Sequence, residues 1–138
     1  MLWNPAEPFY SGGSYKSHSI IYAALCTFCP SKNTYVGKTV STLATRINGH
    51  RAKFYSLLRE NAPLTQLQVD DTNTLGAHLI KTHAPAHPPD FDSTFKFSIL
   101  AEADPPRLRQ LEQLFIEKLK TLYPFGLNQI DSVQYRPS

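Results

Sequence analysis

Two short apolar segments joined by a turn-rich segment constrain the fold of this chain more than any other feature. Residues 20–25 form a continuous apolar run, which is typical of a strand buried on both faces. Residues 34–38 form a second short strand pattern, and residues 26–33 between them are rich in turn formers. The pattern predicts an antiparallel hairpin with Cys26 and Cys29 at its tip.

A helix is predicted directly after this hairpin. Ser41 or Thr42 can cap it, and the helical pattern runs to about residue 59. Residues 74–81 predict a short second helix, which stops before a loop over residues 85–93, because a residue that precedes proline avoids the helical region.

The C-terminal half adds one strand and the longest helix. Apolar and polar side chains alternate over residues 94–100, as expected for a half-buried strand. Asp104 is followed by two prolines, which predicts the N-cap of a helix that continues to about residue 123. The fold class expected is therefore α+β, with a small antiparallel three-stranded sheet flanked by helices.

The length of 138 residues fits one domain with one modest core. We expect this domain to span residues 18–130, after an N-terminal arm over residues 1–17 and before a tail over residues 131–138. No apolar run is long enough to cross a membrane, and the N-terminus lacks the pattern of a secretory signal. A single closely spaced cysteine pair also favours a reducing, intracellular compartment.

Charge is distributed unevenly along the chain. Residues 1–59 carry seven basic and one acidic side chain, a net charge of +6, whereas residues 60–138 carry seven basic and ten acidic side chains, a net charge of −3. A basic half can be ordinary solvated surface. Since Lys and Arg neutralise phosphates, and no carboxylate lies between residues 8 and 59, the distribution favours a nucleic-acid partner.

Helical periodicity singles out three polar residues of the first helix. At about 100° per residue, Arg46, His50 and Lys53 lie side by side along one border of the apolar stripe. We expect them to line the rim of a groove. The stripe itself consists of Leu43, Ile47, Phe54 and Leu58.

The last helix contains one carboxylate in an unexpected position. Glu112 lies only about 40° from Leu108 on the helical wheel, inside the apolar stripe, whereas Glu117 lies on the opposite face. A buried carboxylate is costly unless it is paired or bound to a cation. The stripe is completed by Leu111, Phe115, Leu119 and Leu122.

Taken together, these motifs resemble those of the GIY-YIG endonuclease superfamily. Tyr22 stands at the position of the tyrosine in the first motif, and residues 35–37 (Tyr-Val-Gly) resemble the second motif. Arg46 and His50 resemble the arginine and histidine of the helix that follows. Residues 112–116 and 124–128, ending in Asn128, resemble the glutamate helix and the terminal asparagine, so that the resemblance covers about residues 19–129. Ile20 stands where the first motif usually has glycine.

More narrowly, the chain resembles the GIY-YIG domain of Penelope-like retroelements, which carries a Cys-Cys-His-His set. Cys26, Cys29, His78 and His83 match that set, and the resemblance implies structural zinc. The residues alone leave the cysteines as hairpin packing about as readily as ligands, because 48 residues separate the two half-sites. The resemblance also implies DNA as the partner, a nuclear location and a longer parent protein with a reverse-transcriptase domain.

The activity that the resemblance implies is metal-dependent hydrolysis of a DNA phosphodiester. Glu112 would hold Mg²⁺ or Mn²⁺, and Arg46 would donate to the non-bridging phosphate oxygens. Tyr22 would relay a proton from the attacking water to His50. Tyr35 and Asn128 complete the catalytic set, and the nucleic-acid contacts would come from Gly37, Lys38, Arg51 and Lys53.

Other interpretations remain open at the level of sequence. Each tyrosine taken singly could simply pack a small sheet. A zinc-stabilised nucleic-acid-binding module that no longer cleaves is equally compatible with the basic half and with Ile20. A redox protein that uses Cys26 and Cys29 would need a βαβ context, which the predicted hairpin does not provide.

Overall fold

The computed structural model describes residues 18–29, 34–60, 74–80, 90–123 and 125–128. The predicted arm, the predicted tail and His83 lie outside these ranges. None of the described helices is long and apolar enough to span a membrane. The elements, in chain order, are β1 (His18–Cys26), β2 (Thr34–Thr42), α1 (Leu43–Glu60), α2 (Thr74–His78), α3 (Phe91–Thr94), β3 (Phe95–Glu102), a 3-10 turn (Pro105–Arg107) and α4 (Leu108–Leu119).

The three strands form one antiparallel sheet in the order β2-β1-β3, which confirms the predicted fold class and hairpin. In this sheet Tyr22 of the central strand lies opposite Gly37 of β2 and opposite Ile99 of β3. β2 runs to Thr42, beyond the predicted end at residue 38, because its pairing with β1 continues as far as His18. An edge strand therefore leads directly into α1.

Side chains of β1 point alternately to the two faces of the sheet, and each face has its own apolar core. On one face, Ile20, Tyr22 and Ala24 pack with residues of α1, α2 and α3. On the other face, Ile21 and Ala23 pack with residues of α4. We refer to these as the α1 side and the α4 side.

The predicted start of α1 is confirmed. The Thr42 hydroxyl accepts a hydrogen bond from the backbone N–H of Thr45 at 3.1 Å, as an N-cap residue does. Three of the four predicted stripe residues are buried, but Leu58 is 39% exposed and Leu57 packs against the core in its place. His50 is buried as well, which places it inside the stripe rather than at its rim.

Two other predictions along the chain are wrong. Residues 91–93, predicted as loop, and residue 94, predicted as the start of a strand, form the short helix α3, because Asp90 accepts a hydrogen bond from the N–H of Asp92 and caps it. The last helix begins after the 3-10 turn, where Asp104 makes no side-chain cap bond. It ends at Leu119 instead of residue 123, because Lys120 adopts a left-handed backbone conformation with φ 56°.

The buried line of α4 is shifted relative to the prediction. Leu108, Glu112 and Ile116 are the buried residues of this helix. The predicted Leu111 and Phe115 flank this line and are only partly buried. The helical wheel placed Glu112 correctly on the buried face, but it missed Ile116 as the third member.

Candidate active site

Tyr22 reaches across the edge strand because the residue opposite to it has no side chain. A Cβ atom at Gly37 would lie 2.5 Å from both Cζ and the hydroxyl oxygen of Tyr22. Only a hydrogen atom at position 37 leaves room for the ring. The glycine thus brings the phenol of the central strand to the β2 edge of the sheet, on the α1 side.

The Tyr22 hydroxyl joins two residues of α1. It lies 2.7 Å from Nε2 of His50, and it accepts a hydrogen bond from Nε of Arg46 at 3.2 Å. Arg46 and His50 are four residues apart, which puts them on the same side of the helix. The predicted set of Tyr22, Arg46 and His50 is therefore brought together around a single oxygen atom.

The protonation states of this cluster follow from its environment. Burial, with a smaller contribution from the positive charge of Arg46, lowers the pKa of His50 to about 3. The imidazole is therefore neutral near neutral pH and can accept a hydrogen bond from the Tyr22 hydroxyl. For Arg46, burial alone would lower the pKa, but the attraction and hydrogen bonds of Tyr22 and Tyr35 outweigh it and raise the pKa above its ordinary value.

Aromatic rings enclose the cluster. Tyr35 is 1% exposed, and its ring meets His50 edge to face with centroids 5.8 Å apart. Phe97 of β3 lies nearly parallel to the His50 ring, at 6.5 Å and 29°. These rings exclude water from His50, which explains the depressed pKa of the imidazole. Sequence reasoning did not find Phe97, although its place in an alternating strand already indicated a buried position.

Glu112 lies on the α4 side and is 2% exposed. Its Oε1 accepts a hydrogen bond from Nζ of Lys38 at 3.0 Å, in an ion pair whose lysine side chain is 39% exposed. Lys38 directly follows Gly37 in β2. Two neighbouring residues of the edge strand thus contact opposite sides of the sheet. Gly37 lies against Tyr22 on the α1 side, and Lys38 binds Glu112 on the α4 side.

Asn128 supports the same edge strand. Its Oδ1 accepts hydrogen bonds from the N–H of Val36 at 2.8 Å and from the hydroxyl of Thr121 at 2.7 Å, and its Nδ2 donates to the carbonyl of Val36 at 2.9 Å. The side chain is fully buried. It therefore satisfies the outer hydrogen-bonding groups of β2 one residue before Gly37, which agrees with a bracing position beside the candidate site.

The structure separates the predicted nucleic-acid contacts of α1. Lys53 is exposed. Arg51 binds Asp92 of α3 through both Nε, at 2.8 Å, and a terminal nitrogen, at 2.7 Å, and it also contacts Asn48. Its guanidinium thus links two helices. No sequence pattern indicated this contact, because Asp92 lies 41 residues away.

A second polar cluster lies at the end of β1. The ligand atoms of Cys26, Cys29 and His78 all lie within 4.8 Å of one another, and Sγ of Cys29 is 3.3 Å from Nε2 of His78. The two cysteines are not joined by a disulfide bond. The three side chains can hold a metal ion, so three of the four predicted ligands are brought together. The fourth, His83, lies outside the described residues.

Known proteins offer no direct guide to this arrangement. Comparisons with models of protein families, with curated proteins and with solved structures find no significant match for the chain. The chemistry that the side chains can support follows from their own geometry. They combine a neutral base, a phenol and a fixed cation at one edge of a sheet, with a buried carboxylate behind it.

Proposed function

We propose that this domain is a metal-dependent DNA endonuclease of the GIY-YIG type. The observation that carries the proposal is the hydrogen-bonded chain from Arg46 through the Tyr22 hydroxyl to a neutral, buried His50. A phenol between a guanidinium and an imidazole base is suited to move a proton beside an anionic phosphate. If Tyr22 served only for packing, its hydroxyl oxygen would not need both Arg46 and His50 as hydrogen-bond partners.

In this proposal the proton follows the hydrogen bonds. The attacking water gives its proton to the Tyr22 oxygen, and the phenol proton passes to Nε2 of His50 over 2.7 Å. Arg46 remains a guanidinium throughout, since its pKa is raised, and it donates to the non-bridging oxygens of the phosphate. Tyr35 orients the water or the phosphate from its place beside Arg46.

Glu112 is the residue that would hold a catalytic Mg²⁺ or Mn²⁺. One carboxylate suffices for such an ion, because Mg²⁺ is commonly bound by one or two carboxylates together with substrate phosphates. When bound, the ion would polarise a phosphoryl oxygen and stabilise the leaving oxygen. The burial of Glu112 favours this interpretation, because a carboxylate that is removed from water is stabilised by a cationic partner.

The partner proposed is DNA, held by its phosphates. The basic first half of the chain supplies Lys38 and Lys53 as phosphate contacts. Arg51 would join them by exchanging its ion pair with Asp92 for a contact to a phosphate. We also propose that Cys26, Cys29 and His78 hold structural zinc, with His83 as the fourth ligand, since two thiolates and two imidazoles form a common closed zinc site. We also propose that the chain comes from a longer retroelement protein with a reverse-transcriptase domain, and that it acts in the nucleus.

A second candidate is a zinc-stabilised nucleic-acid-binding module that does not cleave. Two observations favour it: Glu112 is already paired with Lys38, and Ile20 fills fully buried space at the position where the first motif usually has glycine. In that case the basic surface would still bind DNA, while the polar cluster would serve only the fold.

Nicking of a supercoiled plasmid in the presence of Mg²⁺ or Mn²⁺ separates the two candidates. We expect the native protein to nick, and Arg46→Ala and Glu112→Gln each to lower the rate by about 10²-fold or more, because each removes a group that stabilises transition-state charge. Glu117→Gln is the matched control, since Glu117 is exposed on the same helix as Glu112.

If Arg46→Ala and Glu112→Gln nick as fast as the native protein, the endonuclease proposal fails. If the native protein binds plasmid DNA but does not nick it, the second candidate is supported instead.

A further inference from the structure

The Lys38–Glu112 pair joins two residues whose side chains differ greatly in exposure to solvent. Glu112 is 2% exposed on α4, one turn from Leu108 and from Ile116, which both pack in the apolar core of the α4 side. Lys38 is 39% exposed on the edge strand and carries its ammonium on a flexible four-carbon stem. If the pair separates, it is Lys38 that moves away, while the carboxylate stays in place.

A lysine ammonium and a divalent cation compete for the same carboxylate oxygens. The ammonium lies 3.0 Å from Oε1, in a position where a cation would bind that oxygen. A metal ion that approaches Glu112 must therefore displace Lys38 or bind against its positive charge. Both routes lower the affinity of the isolated protein for the metal.

A phosphate at the candidate site offers Lys38 a second anionic partner. Lys38 follows Gly37, against which the Tyr22 hydroxyl lies, and Arg46 donates to that hydroxyl. A DNA phosphate bound by Arg46 would thus lie near the edge strand that carries Lys38. The ammonium can exchange the carboxylate for the phosphate, which leaves the Glu112 oxygens available to a metal ion.

We propose that Lys38 is an internal counter-cation that keeps divalent metal ions from Glu112. When a DNA phosphate replaces Glu112 as the partner of Lys38, the carboxylate becomes available to the metal ion. This inference rests on the proposed endonuclease function and adds regulation of the same site. By linkage, DNA then raises the affinity for the metal and the metal raises the affinity for DNA by the same factor.

The test is calorimetric titration of the full, zinc-loaded chain with Mn²⁺ in the absence of DNA. Lys38→Met should bind Mn²⁺ about tenfold more tightly than the native protein, a factor within the usual range of coupling between two sites. Lys96→Met is the matched control, because it removes the same charge from an exposed position on β3 and should leave the affinity unchanged. Lys38→Arg keeps the ion pair and should also retain the weak native affinity.

A second titration includes a short DNA duplex with cleavage-resistant phosphorothioate linkages. The duplex should raise the Mn²⁺ affinity of the native protein and have much less effect on Lys38→Met. Since removal of Lys38 leaves a buried carboxylate without that partner, Lys38→Gln provides a milder variant that keeps a hydrogen-bond donor. It should fall between the native protein and Lys38→Met.

Glu112→Gln distinguishes the failure of this inference from the failure of the proposed function. If Glu112→Gln abolishes Mn²⁺ binding while Lys38→Met and Lys38→Gln bind as the native protein does, Glu112 is the ligand and only the counter-cation role is overturned. If Glu112→Gln binds Mn²⁺ as tightly as the native protein, both the metal ligand of the proposed function and the inference are overturned.

Discussion

At the scale of single residues, the molecule concentrates buried polar groups around the Tyr22 hydroxyl. Buried polar atoms require partners, and here each satisfies another: Arg46 donates to Tyr22, and Tyr22 hydrogen-bonds to His50. Helical spacing predicted that Arg46 and His50 would share one side of α1. It did not predict that His50 would be 2% exposed, because that burial depends on Tyr35 and Phe97 from two different strands.

The buried imidazole predicts an acid-labile fold. Because the pKa of His50 is lowered to about 3 in the folded state, the unfolded chain binds this proton at a higher pH than the folded one. The stabilising contribution is complete above the ordinary pKa of about 6.5 and is lost as the pH falls from there toward 3, by at most about 1.4 kcal/mol per pH unit. Urea unfolding of native protein and His50→Gln between pH 4 and 8 measures it, and the variant should show the shallower dependence.

His18→Gln controls for this comparison, since His18 is exposed on β1. It should retain the steep pH dependence of the native protein. Parallel curves for the native protein and His50→Gln would contradict the assignment of a buried neutral imidazole.

At the scale of elements, β2 carries the candidate site because it is an edge strand with different neighbours at successive residues. Val36 is bound by Asn128, Gly37 accommodates Tyr22, and Lys38 reaches Glu112. Three consecutive residues thus connect the C-terminal segment, the central strand and α4. The alternation of side chains along a strand explains how neighbours in sequence serve opposite faces of one sheet.

The close approach of Tyr22 to β2 predicts opposite effects for two glycine substitutions. Gly37→Ala would place a methyl group 2.5 Å from the Tyr22 hydroxyl, so the ring must move and its bond to His50 must break. We expect a loss of about 1–3 kcal/mol in the free energy of unfolding, as for overpacked cores, together with loss of plasmid nicking. Both are measured on the purified variant by urea unfolding and by the nicking assay.

Gly49→Ala is the matched control on α1. Apart from the adjoining backbone of α1 itself, nothing in the described structure lies within 4 Å of the added Cβ, so this exposed helical position should gain up to about 1 kcal/mol in the free energy of unfolding. Equal stability of Gly37→Ala and the native protein would show that Tyr22 does not lie against the strand in this way.

At the scale of the whole molecule, two modest apolar cores on either side of a three-stranded sheet are supplemented by the Cys26, Cys29 and His78 cluster. The cysteines come from the end of β1 and the turn after it, and the histidine ends α2. A metal ion held there would tie the hairpin to a short helix that is distant in sequence. Such cross-links matter most in small domains, which bury little apolar surface.

The zinc proposal predicts that metal content and thermal stability fall together. The purified protein should contain about one zinc per chain, and His78→Ala should lose it. We expect the melting temperature of His78→Ala to fall by about 5 °C or more, because 1 kcal/mol corresponds to about 4–8 °C in a domain of 60–100 residues and about 2–4 °C in one of 150–250 residues. Elemental analysis and thermal unfolding measure the two quantities.

His18→Ala serves as the control histidine, and it should keep both the metal and the melting temperature. A chelator should destabilise the native protein but have no further effect on His78→Ala. Native protein that is free of zinc when purified from zinc-supplemented cells would refute the proposal.

The sequence alone determined the three strands, the helices α1, α2 and α4, and most of their buried sides, but not the short helix α3. Strand and helix periodicity placed the hairpin, the start of α1 and the inward position of Glu112, because these depend on neighbours within a few residues. Periodicity also led to errors at Leu58, where Leu57 packs against the core instead, and at the C-terminal end of α4, where Lys120 adopts a left-handed backbone conformation.

Only the tertiary structure decided which polar groups meet. Lys38 and Glu112 are 74 residues apart, and Val36 and Asn128 are 92 residues apart. The hydrophobic pattern of a segment predicts which of its residues are buried, but it does not predict which distant residues they contact. Those pairs form because the sheet order and the packing of α4 bring them together.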